Sequence, residues 1–255
     1  MRADLREGVD RRRHHWSVTG VVTAVLVLAG LGSLHLLWEA GPTGSYVVGV
    51  VGGLVVVLAT TRRAFRLARR EVGPEPITLA TWVTVGRGGA LVMLAGFLLA
   101  PSPDGRAVWL PGLLFAVAAA VDALDGAIAR RLDCESKRGE RLDVEIDALT
   151  VLVGSVLAVR YDVVPVVFAV VGIARYAFVG GIHYRQQRGR EVYDLDQSNL
   201  RRGLGGAAML TIWLALLPTP GGSISRLLAW LVLAPFLFNF TRDWLVVSGR
   251  LPGSD

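Results

Sequence analysis

The strongest constraint on the fold of this chain is a series of long apolar runs separated by short charged connections. A hydrocarbon core of about 30 Å requires about 20 consecutive, mostly apolar residues per helix. Helices are expected rather than strands, because a helix satisfies its own backbone hydrogen bonds inside lipid. The sequence therefore predicts eight membrane spans, at residues 16–38, 44–61, 78–100, 107–129, 145–160, 163–182, 203–218 and 224–246.

The composition agrees with a membrane protein. The chain is 53% hydrophobic and only 19% charged, whereas a soluble domain carries about 25% charged residues. Its single cysteine, Cys134, cannot form an intrachain disulfide. We therefore predict an all-α fold, a polytopic membrane helix bundle. Gly49-x-x-x-Gly53 in the second span suits close helix packing, either within the chain or in a dimer.

The basic residues favour one side of the predicted membrane. With the N-terminus in the cytoplasm, the outside connections hold only Arg106, Arg160 and Arg226. Most other basic residues then lie in inside segments, although Arg87, Arg175 and Arg242 fall within spans. Because basic residues favour the cytoplasmic side of short loops, we predict an integral cell-membrane protein with both termini inside. The net charge of +6 then reflects topology and anionic lipid, and no nucleic-acid partner is predicted.

Four aspartates cluster around the connection between the fourth and fifth predicted spans. Asp122 and Asp125 are three residues apart, and Asp143 and Asp147 are four apart. Either spacing places both side chains on one helical face. The connection is short, so the two helices are expected to be antiparallel neighbours. The sequence therefore predicts that four carboxylates converge at the cytoplasmic end of a helix pair, where ionisable groups usually indicate function.

Four like charges at close range require compensation, either by protonation or by bound cations. Carboxylate oxygens suit Mg²⁺ or Mn²⁺, and no cluster of histidines or thiolates favours zinc. Two such ions would clamp the oxygens of an in-line phosphoryl displacement. Gly126 would leave room for a ligand or a helix, and Arg130 offers a fork for phosphate. The alternative is that these acids are solvated boundary residues, as we expect for Asp133, Glu135, Glu140 and Glu145.

One stretch of the sequence reads Asp122-x-x-Asp125-Gly126-x-x-Ala129-Arg130, then eight residues, then Gly139-x-x-x-Asp143-x-x-x-Asp147. This pattern resembles in full the signature of the CDP-alcohol phosphotransferase family. The resemblance implies a six-helix core at 77–255. Two extra spans would precede it at 1–76, with a basic interfacial segment, or topology anchor, at 62–70. It also implies a homodimer.

The implied activity is that of a membrane transferase of phospholipid biosynthesis. Such an enzyme moves a phosphatidyl-type group from a CDP-linked lipid to a small polar alcohol and releases CMP. The reaction would use two divalent cations, Mg²⁺ or Mn²⁺, in a cavity open to the cytoplasm.

The resemblance also implies roles for individual residues. Asp122 and Asp143 would bridge both cations, and Asp125 would hold one. Asp147 would contact the second cation and act as general base on the acceptor hydroxyl. The implied substrate-binding positions are Gly126, Ala129, Arg130, Ser136, Gly139, Thr81 and Thr84, with Thr81 standing where the family commonly has asparagine.

Only the positions of certain arginines indicate the chemical class of the acceptor alcohol. Arg175 lies within the sixth span, where a lone arginine needs an anionic partner. Arg201 and Arg202 begin the seventh span, where they would either bind a phosphorylated acceptor or snorkel as topology charges. We include Arg175 and Arg202 among the predicted substrate-binding residues, for an acceptor such as glycerol phosphate or inositol phosphate.

A rival interpretation is a divalent-cation transporter that uses the same acids as its ion site. Transporters often show inverted repeats and helices broken at mid-membrane. Here the acids cluster at one membrane edge and we find no internal repeat, which favours the enzyme. An inactive scaffold is disfavoured because every position of the signature is intact.

Overall fold

The computed structural model describes residues 2–38, 41–73, 78–119, 137–195 and 198–251. Within these ranges the chain forms eight helices and no strand. The helices are α1 (Arg2–Leu37), α2 (Gly44–Val72), α3 (Leu79–Gly96), α4 (Gly105–Ala119), α5 (Lys137–Arg160), α6 (Ala169–Gln187), α7 (Asn199–Leu216) and α8 (Gly222–Val247).

The prediction of an all-α membrane bundle is confirmed, since each predicted span overlaps one of these helices. Four described segments are long and apolar enough to cross a membrane by length and composition: Val18–Leu36, Gly44–Val72, Val166–Gln187 and Gly222–Val247. Among the described residues, α4 is a shorter apolar helix, and the part of the predicted span 107–129 after residue 119 lies outside them. Helices α5 and α7 begin with polar and charged residues, which lowers their mean hydropathy.

The chain divides into two compact units, Met1–Thr150 and Val151–Asp255. The first half of α5 therefore belongs to the first unit and the second half to the second.

In the first unit, α2 begins and ends at residues whose chemistry suits those positions. The Thr43 side chain accepts a hydrogen bond from the Tyr46 backbone N–H at 3.2 Å, as an N-cap residue does. At the other end Gly73 has a φ of 84° and its N–H bonds to the Arg69 carbonyl, a conformation that favours glycine. The basic segment 62–70 lies within this single continuous helix, which places its charges on an extension of the second span.

Helix α2 packs tightly against α3. Gly49 and Gly53 of α2 lie against Gly96 and Ala95 of α3, so the glycine pair serves packing within the chain. The Tyr46 hydroxyl donates a hydrogen bond to the Met93 carbonyl at 2.8 Å. The rings of Trp38, Tyr46 and Phe97 contact one another at centroid distances of 5.9, 5.7 and 4.9 Å, and all three side chains are buried.

In the second unit, small residues again allow helices to approach closely. Gly172 of α6 lies against the backbone of Leu152 in α5, and Gly181 of α6 lies against the Trp244 ring of α8. The Phe178 ring packs edge-on against Phe240 and Trp244 at 5.8 Å in each case. These contacts hold α6 between the end of α5 and α8.

Candidate active site

The described part of the site is built around Arg87, in the middle of α3. Its side chain has no exposed surface. The Nε atom donates to the backbone carbonyl of Ala118 in α4 at 2.8 Å. The two terminal nitrogens donate to carboxylates of α5, Nη1 to Oδ1 of Asp143 and Nη2 to Oδ1 of Asp147. One guanidinium therefore joins three helices.

Local sequence explains why these groups meet. Asp143 and Asp147 are four residues apart in α5, so both side chains project from one face toward the same neighbour. Gly88, next to Arg87, allows α3 to approach its neighbours. A Cβ atom there would lie 3.2 Å from Cγ1 of Val57 in α2 and 3.6 Å from Cδ1 of Ile146 in α5. The absence of a side chain at Gly88 therefore favours close packing of α3 on α2, whereas the distance to Ile146 of α5 is an ordinary van der Waals contact.

The charges of this cluster nearly balance. A buried arginine is costly unless opposite charges and hydrogen bonds compensate it. Arg87 has both, since Asp143 and Asp147 bring the formal charge of the trio to −1. The two carboxylate side chains keep 29% and 25% of their surface exposed. An ionised carboxylate has two oxygens and about four acceptor positions, so the arginine does not exhaust their binding capacity.

The start of α5 meets the end of α2. The Arg141 guanidinium forms a two-pronged pair with the Glu71 carboxylate, with 3.0 Å between Nε and Oε2. The Arg138 guanidinium lies over the Phe65 ring at 5.9 Å. Lys137 pairs with Glu140 at 2.7 Å, and this hydrogen bond raises the pKa of the Lys137 ammonium. The turns of α5 that precede Asp143 are therefore in contact with the N-terminal region of the chain.

The other predicted residues of the first unit lie on the same helices as the cluster. Thr81 and Thr84 are buried in α3, about two turns and one turn before Arg87, respectively. The Thr81 hydroxyl is 3.1 Å from that of Thr78, the N-cap residue of α3. Gly139 is buried at the start of α5, one turn before Asp143.

Six predicted site residues lie outside the described residues: Asp122, Asp125, Gly126, Ala129, Arg130 and Ser136. The convergence of four carboxylates therefore stays a prediction. Among the described residues, no group of three or more histidine, cysteine or acidic side chains is placed to hold a metal ion. The structure thus brings together two of the four predicted ligands, Asp143 and Asp147.

The arginines proposed for the acceptor lie in the second unit. Arg175 is exposed in α6, and Arg202 is exposed in the first turn of α7. Arg201 instead pairs with the buried Asp243 of α8, at 2.9 Å from Nε to Oδ2. The Asn239 amide donates to the same carboxylate oxygen at 2.9 Å. This network favours a structural role for Arg201, which the sequence did not predict.

Sequence reasoning missed the role of Arg87. The available signal was its position inside a predicted span, since an intramembrane arginine requires an anionic partner. On that ground the sequence predicts a function for Arg175 but none for Arg87. Its partners lie 31 to 60 residues away in sequence, so only the packing of α3 against α4 and α5 identifies them.

Comparison with known protein families shows the family of the chain. A family model described as CDP-alcohol phosphatidyltransferase matches residues 77–238, which is well over half of the chain and contains Arg87, Asp143 and Asp147. No curated protein and no solved structure matches the chain. Together with the apolar helices, the match shows that the chain belongs to the CDP-alcohol phosphatidyltransferase family, as an integral-membrane transferase of phospholipid biosynthesis.

Proposed function

We propose that this enzyme moves a phosphatidyl-type group from a CDP-linked lipid to a small polar alcohol and releases CMP, with Asp147 as general base. The observation that carries the proposal is the pairing of Asp143 and Asp147, two signature residues, at one buried guanidinium inside the matched region. The family match gives no support to the cation-transporter alternative.

The donor set fits two divalent cations, Mg²⁺ or Mn²⁺. Asp143 and Asp147 offer hard carboxylate oxygens on adjacent turns, and both retain exposed surface. We propose that Asp122, Asp125, Asp143 and Asp147 would hold the cations, with Asp122 and Asp143 shared between them. When bound, the cations would neutralise charge on the transferring phosphorus and on the departing CMP.

The chain's own groups would then carry out a single displacement. The acceptor oxygen forms its bond to phosphorus as the bond between that phosphorus and the CMP oxygen breaks, with inversion. The hydroxyl proton passes to the Asp147 carboxylate, which raises the nucleophilicity of a poor nucleophile. General-base assistance of this kind typically contributes about 10²–10⁴-fold.

The substrate contacts are proposals of the same kind. Seven residues are proposed to line the CDP site: Gly126, Ala129, Arg130, Ser136, Gly139, Thr81 and Thr84. Arg175 and Arg202 are proposed to contact an anionic acceptor such as glycerol phosphate or inositol phosphate, and their exposed side chains in α6 and α7 are consistent with this role.

The proposal also includes the orientation and organisation of the chain. Both termini and the active site would face the cytoplasm, as the distribution of arginines indicates. Residues 1–76 would form an extension to a family core at 77–255, and the enzyme would act as a homodimer. Cysteine-accessibility labelling of the termini and chemical crosslinking would test these two points separately from the reaction.

The decisive experiment measures CMP release by the purified protein in nanodiscs. CDP-diacylglycerol would be supplied with a panel of alcohols, with and without EDTA. We expect release with at least one acceptor, and its loss with EDTA and in Asp147→Asn. The matched control is Asp104→Asn, because Asp104 is an exposed residue before α4 whose side chain makes no capping hydrogen bond.

Two results would overturn the proposal. The first is Asp147→Asn protein that releases CMP at the wild-type rate. The second is proteoliposomes that move Mn²⁺ across the membrane while no acceptor elicits CMP release.

A further inference from the structure

Arg87 lies outside the signature and takes no part in the displacement described above, yet it holds both described signature aspartates. We propose that Arg87 is a positioning residue, which fixes the Asp143 and Asp147 carboxylates in the orientation that the reaction requires. This inference rests on the proposed function, because it assumes that these carboxylates hold cations and accept a proton.

The first argument is that the guanidinium is anchored independently of the carboxylates. Its Nε donates to a backbone carbonyl, that of Ala118, at 2.8 Å. A backbone acceptor in a helix does not change rotamer, so the plane of the guanidinium is set before either carboxylate binds to it. The complete burial of the side chain removes the remaining freedom. Arg87 thus provides a fixed reference to which Asp143 and Asp147 are aligned.

The second argument concerns the shape of the donor. An arginine presents its N–H groups in a rigid planar fork, whereas a lysine presents donors around one flexible ammonium nitrogen. Arg87 uses three different nitrogens for three acceptors on α4 and α5. A lysine would retain the positive charge but would not hold all three acceptors. Arg87→Lys therefore separates positioning from charge neutralisation.

The third argument concerns the acidic site before cations bind. Neighbouring carboxylates repel one another, which favours side-chain positions that point apart. Arg87 donates to Oδ1 of each carboxylate. These two hydrogen bonds hold the carboxylates together and orient both side chains toward one guanidinium. In addition, the same guanidinium bonds to Ala118 of α4, which precedes the signature residue Asp122 by four residues in sequence.

The test compares Arg87→Lys and Arg87→Met with wild type in two assays. The first is a Mn²⁺ titration of the metal-stripped full-length protein without substrate, followed by the shift in its thermal unfolding temperature. The second is steady-state CMP release. Groups that orient metal ligands typically contribute about 10–100-fold to metal affinity or activity. For Arg87→Lys we expect a Mn²⁺ midpoint raised about tenfold or more, a kcat reduced by a similar factor, and a KM for the CDP-lipid within about twofold of wild type.

The control pair is Arg242→Lys and Arg242→Met. Arg242 is an exposed arginine within the last apolar helix, and it is not among the proposed site residues. Both control variants should retain the wild-type Mn²⁺ midpoint and kcat. A general effect of removing an arginine from a membrane helix would instead appear in both pairs.

Three outcomes would decide against a positioning role for Arg87. A wild-type midpoint and kcat in Arg87→Lys would show that only the charge matters. A lower midpoint in either variant would show that Arg87 competes with the cation. Failure of both variants to fold would show that the contact serves stability alone. If wild-type protein releases no CMP, the proposed function fails, but the Mn²⁺ titration still decides whether Arg87 orients the carboxylates.

Discussion

Gly49 of α2 lies in direct backbone contact with Gly96 of α3: a Cβ atom on Gly49 would be 2.9 Å from both the Cα and the carbonyl oxygen of Gly96. Backbone atoms cannot rotate away as side chains do. Helix α2 precedes the matched family region and α3 lies within it. The contact therefore fixes the N-terminal region against the helix that carries Arg87.

Gly49→Ala is accordingly expected to destabilise the protein by about 1–3 kcal/mol, the usual effect of overpacking. Gly52→Ala is the matched control, because Gly52 is in the same helix and a Cβ atom there would meet nothing within 4 Å. Thermal unfolding of the purified proteins in one detergent would measure both. Equal unfolding temperatures for the two variants would show that α2 and α3 do not touch at Gly49.

A second close approach of helices occurs at Gly172 of α6. A Cβ atom on Gly172 would lie 2.7 Å from the Leu152 Cα and would also meet the Ser155 hydroxyl of α5. Gly172→Ala should therefore lower the unfolding temperature, by an amount equivalent to about 1–3 kcal/mol. Gly180→Ala, in the same helix with nothing within 4 Å, should not. Loss of stability in Gly180→Ala alone would reverse the assignment of the packed face of α6.

The pair formed by Glu71 and Arg141 links the end of α2 to the start of α5. Both side chains are partly exposed, at 49% and 36%, so their coupling should be modest, about 0.2–1 kcal/mol. A double-mutant cycle with Glu71→Ala and Arg141→Ala, followed by thermal unfolding, would measure it. The charge-reversed double variant should recover part of the loss. Strictly additive single effects would show that the two residues do not interact.

The two arginines that begin α7 should behave differently. Arg201→Met leaves the Asp243 carboxylate, which is only 12% exposed, without its cationic partner. We expect a loss of about 1–3 kcal/mol in unfolding free energy, since Arg201 itself is partly solvated and Asn239 still donates to Asp243. Arg202→Met should instead raise the KM for an anionic acceptor. Stability assays and acceptor titrations on both variants would distinguish the two roles. A raised KM with unchanged stability in Arg201→Met would contradict the structural role of Arg201.

Local periodicity explains which features of the fold and of the site could be predicted from the sequence. Apolar runs of helical length indicate the helices, because the bilayer requires both apolarity and internal hydrogen bonding. The spacing of Asp143 and Asp147 places them on one face, since that depends only on the pitch of α5. The glycine pair at Gly49 and Gly53 likewise indicated close packing.

The partners of these groups were not predictable in the same way. The apolar faces of the helices resemble one another in composition, so nothing in the order of residues says that α2 packs on α3 or that Arg138 lies over Phe65. The pairing of Arg201 with Asp243 spans 42 residues, and the sequence did not indicate it.

The order of amino acids alone is enough to establish an all-helical membrane protein, the spacing of its signature aspartates and the family to which it belongs, because helix pitch and solvation by lipid act on neighbouring residues. Folding in three dimensions decides which helices meet. It places the buried Arg87 guanidinium against Ala118, Asp143 and Asp147. That arrangement depends on contacts between distant segments, whose geometry is set by the packing of whole helix faces and not by any local pattern.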